Sequence, residues 1–424
     1  MSTSYLVLQP LLLNAISIPA TAYIVSSLGP LGYGQWAVAL SLVASTGILS
    51  DLGVRSAFVR KVSRNPEMAQ AMFAEQVGVR VLLSAISGGA AVIICAVLKY
   101  PATVVHCTLV LACAGMFTSA AGVVADLLVA IDRAASMAII NTIAGLTLTV
   151  ASVIAIWLGA GPLGLAMAYL LGPVLTGALS LTLVHRQLFA VGIAWNLGRF
   201  WVLLKESKVL ALQLFVGGLD AQAANLIVPK LVNISSYGYF AAGTLLPTRL
   251  MVIPDGLVTV FYPVLSRAHA EGPQAFRSSV KRFFFFAAAA SFGAAIPVFI
   301  LSGPIARLLF PAQPEICQTV IRITIWMLPL TTLAVAIGYT VTSAFREFSE
   351  AKAAFVGAVL SIPLTFFLIT RFGLTGACVS LSARALLLLV LRLPLLSGAL
   401  RERTGHADRA ARPAELTPEE QHGN

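Results

Sequence analysis

The sequence predicts an all-α polytopic membrane protein with about twelve transmembrane helices in two six-helix halves. Of its residues, 58% are apolar and only 11% are charged, and the mean hydropathy is +0.90, whereas soluble domains carry roughly 25% charged residues. The apolar segments are long, and about 20 residues suffice to cross a hydrocarbon core of ~30 Å. Two short motifs also recur at nearly equal spacing in the two halves of the chain.

Twelve apolar segments are candidate transmembrane helices. They cover approximately residues 4–28, 35–58, 73–98, 104–130, 137–158, 163–184, 209–232, 237–265, 283–303, 318–343, 352–370 and 375–398. The eighth segment contains Pro247, Pro254 and Pro263. Each proline removes a backbone hydrogen bond and favours a kink, and three prolines in one span beside Arg249 are more than packing alone would explain.

Basic residues predict the orientation of the spans. Of the 28 Lys and Arg, twenty fall in or beside the loops after even-numbered spans or in the tail, and five fall in or beside the loops after odd-numbered spans. By the positive-inside rule both termini are cytoplasmic, which fits a multi-pass protein of the cytoplasmic (inner) membrane. We expect an N-terminal half over residues 1–205, a C-terminal half over residues 206–400 and a disordered cytoplasmic tail over residues 401–424.

The composition argues against several other classes of protein. The net charge of +11 is spread between apolar segments and not clustered on a soluble domain, so it indicates membrane topology and not nucleic-acid binding. The five cysteines lie in or beside apolar runs without metal-ligand spacing, and neither a disulfide framework, a metal site nor a cofactor is expected. No cleavable signal peptide is apparent, because the first apolar run continues into a full span.

Two charged residues lie in the middle of predicted spans. Asp220 is about eleven residues into the seventh span and Arg249 about twelve into the eighth, so an antiparallel hairpin places both near the bilayer centre. A charge there costs at least ~2.5–3.5 kcal/mol and usually faces a bundle interior or an aqueous cavity. Gln213 and Asn225 make the same region polar, which favours a functional site. A permanent structural ion pair between Asp220 and Arg249 is the simpler alternative.

The two halves carry similar motifs. Tyr33-Gly34-Gln35-Trp36 and Tyr237-Gly238-Tyr239-Phe240 are offset by 204 residues, and Gly161-Pro162-Leu163-Gly164 and Gly373-Leu374-Thr375-Gly376 are offset by 212. Near-equal offsets with an even number of spans between copies predict a parallel repeat of six plus six spans about an axis along the membrane normal. Transporters with such repeats bind their substrates between the halves.

Three longer stretches carry a resemblance to a known family. The first is residues 28–36, followed further along by Asp51-Leu52-Gly53-Val54-Arg55. The second is Arg249-Leu250-Met251-Val252-Ile253-Pro254, followed by residues 261–267. The third is residues 371–377. The chain resembles the polysaccharide and O-antigen flippases of the multidrug/oligosaccharidyl-lipid/polysaccharide exporter superfamily. This resemblance implies a V-shaped fold with a central cavity, a polyprenyl-diphosphate-linked glycan as substrate in the lipid bilayer, coupling to Na⁺ or H⁺, and a polysaccharide polymerase as a candidate partner.

The resemblance also implies roles for individual residues. Arg249 is similar to the span-eight cavity arginine of lipid II flippases and would contact the substrate diphosphate, with Arg55 at the cytoplasmic mouth of the cavity. The first span lacks the arginine that lipid II flippases carry there, which argues against lipid II itself. Arginine suits phosphate because its fork donates two hydrogen bonds and stays charged when desolvated.

Further residues complete the candidate site. Arg80 and Arg384 are intramembrane cations that we assign with Gln213 and Asn225 to substrate binding, and Asp255 joins Asp220 as a candidate ion-coupling acid. Local alternatives exist for two of these cations: Arg80 could snorkel or pair with Glu75, and Arg55 could pair with Asp51 at i,i+4. Asp126 near the end of the fourth span is expected to be interfacial.

Two other functions remain open from the sequence. One is a Na⁺- or H⁺-coupled drug exporter of the same superfamily, with Asp220 as the coupling site. The other is a membrane enzyme acting on lipid-linked sugars, which would need a carboxylate or arginine cluster in an outer loop or a nucleotide-sugar domain. The outer loop over residues 303–318 offers only Arg307 and Glu315, and no nucleotide-binding motif is visible.

Overall fold

The computed structural model describes residues 2–50, 54–131, 133–190, 192, 194, 198 and 208–410, and within them it is helical without a β-strand. The helices are α1 (Ser2–Gly47), α2 (Val54–Arg64), α3 (Ala69–Val97), α4 (Ala102–Ala130), α5 (Ala134–Trp157), α6 (Gly161–Gln187), α7 (Lys208–Leu231), α8 (Ile234–Gly243), α9 (Leu245–Arg249), α10 (Val252–Glu271), α11 (Pro273–Ile300), α12 (Ser302–Leu309), α13 (Pro314–Thr324), α14 (Met327–Ser343) and α15 (Glu347–Ala410).

The predicted all-α polytopic class is confirmed. Eight stretches of helix within the described residues are long and apolar enough to cross a membrane. The predicted spans 4–28 and 35–58 both fall partly in α1, and the last two spans both fall in α15. The second span was predicted too long, because α1 ends at Gly47 and is followed by a 3-10 turn over Ile48–Ser50. Helix α15 continues into the predicted tail as far as Ala410.

Prolines break the predicted eighth and tenth spans. The eighth span is divided into α8, α9 and α10, and the tenth into α13 and α14. Pro247, Pro254 and Pro329 are each the third residue of the helix that contains them. In the first turn a backbone N–H has no partner within its own helix, so proline is tolerated there. A helix therefore ends before each of these prolines and a new one begins.

Glycines with positive φ interrupt α1 and α15 and open α6. Gly29 (φ 65°), Gly161 (φ 63°) and Gly373 (φ 56°) adopt left-handed conformations that other residues rarely reach. A second glycine follows three residues later in each case, at Gly32, Gly164 and Gly376. The two motifs offset by 212 residues therefore both have a positive φ at their first glycine.

The other repeated motif forms a reciprocal contact between α1 and α8. An added Cβ at Gly34 would lie 2.2 Å from the carbonyl oxygen of Ile234, and one at Gly238 would lie 1.9 Å from that of Pro30. Ile234 is offset from Pro30 by 204 residues, as Gly238 is from Gly34. Each copy thus contacts the other with the equivalent residue, the pattern of a two-fold-related interface. Only glycine allows the two backbones to approach so closely.

Contacts divide the chain into two compact units. The first contains Met1–Arg249, Val298–Ile325 and Ala358–Leu381, and the second contains Leu250–Pro297, Trp326–Gly357 and Ser382–Asn424. The first unit has a core that includes Tyr33 and Phe240, and the second has a smaller core around Phe276 and Phe283. The boundary predicted between residues 205 and 206 lies outside the described residues, and the two-half division stays a prediction.

Candidate functional site

Arg249 lies at the end of the short helix α9, where the chain breaks before α10. Its side chain is exposed, and its Nη1 donates a hydrogen bond of 3.2 Å to Ser17 Oγ on α1. The break follows from Pro254, whose ring is accommodated only if a new helix starts just before it. The proline pattern of the eighth span therefore places a cation at a helix end, where it is accessible.

Two cavities of the first unit share Arg249. The aromatic pocket has a volume of about 150 Å³, and besides Arg249 its lining includes Ser17, Tyr33, Trp36, Thr149, Ser152 and Tyr169. The apolar pocket has a volume of about 120 Å³, and its lining includes Ile18, Leu245, Leu246, Ile305, Leu308 and Ile321. The first offers hydroxyl groups and aromatic rings, and the second offers aliphatic surface.

This arrangement suits an amphiphilic anion. The Arg249 guanidinium presents N–H donors in a planar fork that matches phosphate oxygens, and it remains charged when water is removed. An apolar group attached to the anion fits the aliphatic pocket, and a hydroxylated group fits the aromatic pocket. The residues present therefore match the three chemical parts of a lipid-linked, phosphorylated sugar.

A second cationic cluster surrounds Asp126 on α4. The Arg55 Nε lies 2.7 Å from Asp126 Oδ1, and the Arg80 Nη1 lies 2.9 Å from Oδ2. Asp126, which was expected to be interfacial, is buried in the protein, with only 2% of the residue exposed. It is paired because an isolated carboxylate could not be buried without a large desolvation penalty. Arg80 is also buried, whereas 59% of the Arg55 side chain is exposed.

Asp126→Asn should strongly destabilise the protein. The variant leaves the buried Arg80 without its carboxylate, and breaking a buried ion pair costs about 3–5 kcal/mol. We expect a lower melting temperature and a lower yield of monodisperse protein in detergent, whereas the exposed Glu315→Gln should change neither. Replacing both partners, as in Arg80→Leu with Asp126→Leu, should recover much of the loss. Unchanged melting of Asp126→Asn would contradict a structural role for this cluster.

Asp220 lies on α7 and is 8% exposed. It accepts a hydrogen bond from Ser361, a completely buried residue of α15. The pairing of Asp220 with Arg249 stays a prediction. Asn225, on the same helix, donates a hydrogen bond of 2.8 Å to Gln222. The side chain of Gln213 lies outside the described part of the chain.

The remaining predicted residues belong to the second unit. Arg384 is half-buried in α15, downstream of the break at Gly373. Asp255 is exposed in the first turn of α10. A carboxylate in the first turn of a helix interacts favourably with the helix dipole. Asp255 can therefore stabilise α10 independently of any role in ion coupling.

Two features of the structure had no counterpart among the predicted site residues. Arg392 was counted as a loop cation, but it forms an ion pair with Glu350 and donates a hydrogen bond of 2.8 Å to the carbonyl oxygen of Ala334. Gly338 leaves room for this pair, because a Cβ there would lie 2.9 Å from Glu350 Oε1. The aromatic pocket was also missed, although Tyr33 and Trp36 belong to a motif that the sequence singled out.

Comparison with solved structures identifies the fold. The chain is similar to an inward-facing multidrug resistance MATE family transporter of the MOP superfamily, with 15% identity, a TM-score of 0.70, and 94% of this chain and 96% of that chain covered. It is similar to the lipid II flippase MurJ in an inward closed conformation, with 14% identity, a TM-score of 0.73, and 95% and 90% covered.

A MOP superfamily transporter from Pyrococcus furiosus also matches, with 14% identity, a TM-score of 0.60, and 94% of each chain covered. At these identities the likeness concerns the fold. No curated protein matches the sequence. A family model described as polysaccharide biosynthesis protein matches residues 27–317, which is most of the chain. The chain therefore belongs to the polysaccharide biosynthesis protein family and is a multi-pass membrane protein with the fold of MOP superfamily transporters.

Proposed function

We propose that this protein is a flippase for polyprenyl-diphosphate-linked oligosaccharides. It moves them across the cytoplasmic membrane by alternating access, for the synthesis of a cell-surface polysaccharide. The observation that carries the proposal is the exposed guanidinium of Arg249 between an apolar pocket and an aromatic, hydroxyl-lined pocket. The family match and the fold are consistent with this function.

The substrate's chemistry explains why such a site is needed. The diphosphate and the glycan cannot cross hydrocarbon unassisted, whereas the polyprenyl tail is stable in lipid. A site that binds the diphosphate and covers the sugars removes the barrier for both and leaves most of the tail in the bilayer. Arg249 supplies charge-assisted hydrogen bonds to the diphosphate. One of its N–H groups contacts Ser17 Oγ, which lines the same pocket.

Arg55 and Arg80 contribute a second cationic region in this proposal. Both side chains contact the carboxylate of Asp126. The exposed Arg55 is suited to attract the diphosphate at the cytoplasmic mouth, while Arg80 holds Asp126 in place. Arg384 and Asn225 are assigned to later contacts along the transport path.

A Na⁺- or H⁺-coupled exporter of small molecules is the second candidate. The observation in its favour is the buried carboxylate of Asp220, which is bonded to a neutral hydroxyl. Burial favours the neutral form of a carboxyl group, and a nearby cation favours the charged form, so a buried acid can couple proton or cation binding to transport. The same residue provides energy coupling in a flippase, so Asp220 alone does not distinguish the substrates.

Asp220→Asn tests the coupling role. Asparagine keeps the shape and can accept the hydrogen bond from Ser361, so we expect a normally folded protein that exports glycan weakly. Its residual export should not respond when the proton or Na⁺ gradient is collapsed, whereas that of Glu315→Gln should respond like the wild type. The parallel variant Asp255→Asn shows whether the other predicted acid contributes. Export by Asp220→Asn at the wild-type rate and with wild-type gradient dependence would exclude Asp220 from coupling.

The function itself can be tested in cells by depletion of the protein. We expect the surface polysaccharide to disappear and its polyprenyl-diphosphate-linked precursor to accumulate on the cytoplasmic leaflet, where an impermeant reagent added outside cannot modify it. A drug exporter predicts unchanged surface glycan and increased sensitivity to cationic drugs. Unchanged surface glycan after depletion would therefore reject the flippase proposal.

A further inference from the structure

The aromatic pocket contains a cluster of three rings next to Arg249. The ring centroids of Tyr33 and Trp36 are 5.5 Å apart, and those of Trp36 and Tyr169 are 6.3 Å apart with a nearly edge-on geometry. Tyr33 and Trp36 come from the second half of α1, and Tyr169 comes from α6. Aromatic side chains combine an apolar face with a polar edge, which suits ligands with apolar faces and polar rims. Sugar rings have this character.

Trp36 has an unused hydrogen-bond donor. Its indole Nε1 is buried and has no hydrogen-bond partner within the described part of the protein. Buried polar groups in native proteins are almost always paired, so an orphaned donor beside a cavity indicates that a ligand or water supplies the acceptor. Indole is a donor only. A hydroxyl or acetamido oxygen of a sugar is an acceptor of the right kind.

The pocket also offers complementary oxygens. Ser17, Thr149 and Ser152 line it, and Thr149 donates its own hydroxyl proton to the carbonyl oxygen of Gly145 over 2.8 Å. Its lone pairs therefore remain available to accept from a ligand hydroxyl. The apolar pocket on the other side of Arg249 is lined mainly by aliphatic side chains and would leave sugar hydroxyls unpaired.

Tyr169 connects this pocket to further polar space. It also lines a cavity of about 380 Å³ with Thr118, Asn141 and Thr176, and another of about 280 Å³ with Ser84 and Ser87. Hydroxyl and amide groups thus continue beyond the aromatic rings. A glycan that enters the aromatic pocket with its first sugar has polar surroundings for the sugars that follow.

We propose that the aromatic pocket is the binding site for the first sugar of the lipid-linked glycan, with Trp36 donating its indole N–H to a sugar oxygen while Arg249 binds the adjacent diphosphate. The apolar pocket then receives the first part of the polyprenyl chain. This inference rests on the proposed function and adds to it the orientation of the bound substrate. Trp36 and Tyr169 become the residues that select the first sugar.

Binding measurements on the purified protein in lipid nanodiscs test this assignment. The probes are polyprenyl diphosphate without sugar and a panel of polyprenyl diphosphates that carry one hexose, one N-acetylhexosamine or one uronic acid. The variants are Trp36→Phe, which keeps an aromatic ring but removes the N–H donor, Tyr169→Leu, which removes a ring, and Arg249→Ala. Trp157→Phe is the matched control, because Trp157 is 75% exposed at the end of α5.

We expect the wild type to bind one sugar-bearing probe more tightly than the sugar-free probe. Trp36→Phe should weaken binding of that probe by about three- to tenfold, the loss of one hydrogen bond, and leave the sugar-free probe unaffected. Tyr169→Leu should also reduce the preference for sugar, and Trp157→Phe should not. Arg249→Ala should weaken both kinds of probe, because the diphosphate is common to them.

A failure of the sugar-site assignment and a failure of the proposed function give different results. If Trp36→Phe and Tyr169→Leu bind every probe like the wild type while Arg249→Ala loses all of them, the sugar site lies elsewhere and the proposed function stands. If they weaken the sugar-free and sugar-bearing probes equally, the rings act through folding and the assignment is wrong. If the wild type binds none of the probes, the proposed function itself is rejected.

Discussion

Arg249→Ala is expected to abolish surface delivery of the glycan while the protein remains in the membrane at its normal level. Each charge-assisted hydrogen bond to phosphate contributes about 1.5–3 kcal/mol. Loss of even one therefore reduces binding by at least about tenfold. The side chain is exposed, so its removal should affect folding little. Surface glycan staining and membrane protein level, measured in the same cells, check both parts.

Two further variants show what Arg249 contributes. Arg249→Lys keeps the charge but loses the planar fork, so it should restore export poorly if the contact is bidentate and well if only charge matters. Arg307→Ala removes another exposed arginine of the first unit and should export normally. Normal export by a well-expressed Arg249→Ala protein would remove this residue from the site.

Gly238→Ala is expected to disrupt the contact between α1 and α8. The new Cβ would lie 1.9 Å from the carbonyl oxygen of Pro30, and this obstacle is backbone, which cannot rotate away. Overpacking of a core typically costs about 1–3 kcal/mol and occasionally more, and a backbone clash belongs at the upper end of that range. We expect a large fall in the yield of monodisperse protein and in its melting temperature.

Controls and a double variant make this prediction specific. Gly89→Ala is matched, because Gly89 is an exposed glycine of α3 with no atom within 4 Å of the added Cβ. Gly34→Ala should resemble Gly238→Ala, since the contact is reciprocal. The double variant should lose less stability than the sum of the two single variants, because the first substitution already separates the helices. Wild-type melting of Gly238→Ala would contradict the close contact.

Hydropathy and proline placement were sufficient to predict the fold class and many helix positions. The predicted span 104–130 agrees with α4, which covers Ala102–Ala130. The agreement is close because this segment is apolar throughout and its boundaries are clear in the sequence. The distortion of the eighth span followed from its prolines. The end of α1 at Gly47 was missed, since the apolar run continues past it and hydropathy cannot distinguish a helix from the turn that follows.

Partners of the buried charges could not be predicted, because they come from distant parts of the chain. Local spacing suggested Asp51 for Arg55 and Glu75 for Arg80, and it gave no indication that both arginines bind Asp126. Asp220 is bonded to Ser361, 141 residues away. A sequence offers i,i+4 neighbours first, whereas helix packing decides which charges meet.

The aromatic pocket illustrates the same limit for a binding site. Trp36 lies in a motif that was noticed as a repeat, and aromatic residues are common at membrane interfaces. Its proximity to Tyr169, on a helix more than a hundred residues later, appears only once α1 and α6 pack together. Arg249 was identified from sequence, because an arginine within an apolar run stands out by itself.

Transport in proteoliposomes tests the central claim most directly. The purified protein is reconstituted with a fluorescent polyprenyl-diphosphate-linked oligosaccharide, and an impermeant quencher is added outside after an ion gradient has been imposed. We predict that wild-type vesicles expose the inner-leaflet substrate to the quencher over time, whereas Arg249→Ala vesicles and protein-free vesicles lose only the fluorescence of the outer leaflet. Equal quenching of wild-type and protein-free vesicles, or full translocation by Arg249→Ala, would contradict translocation through the Arg249 site.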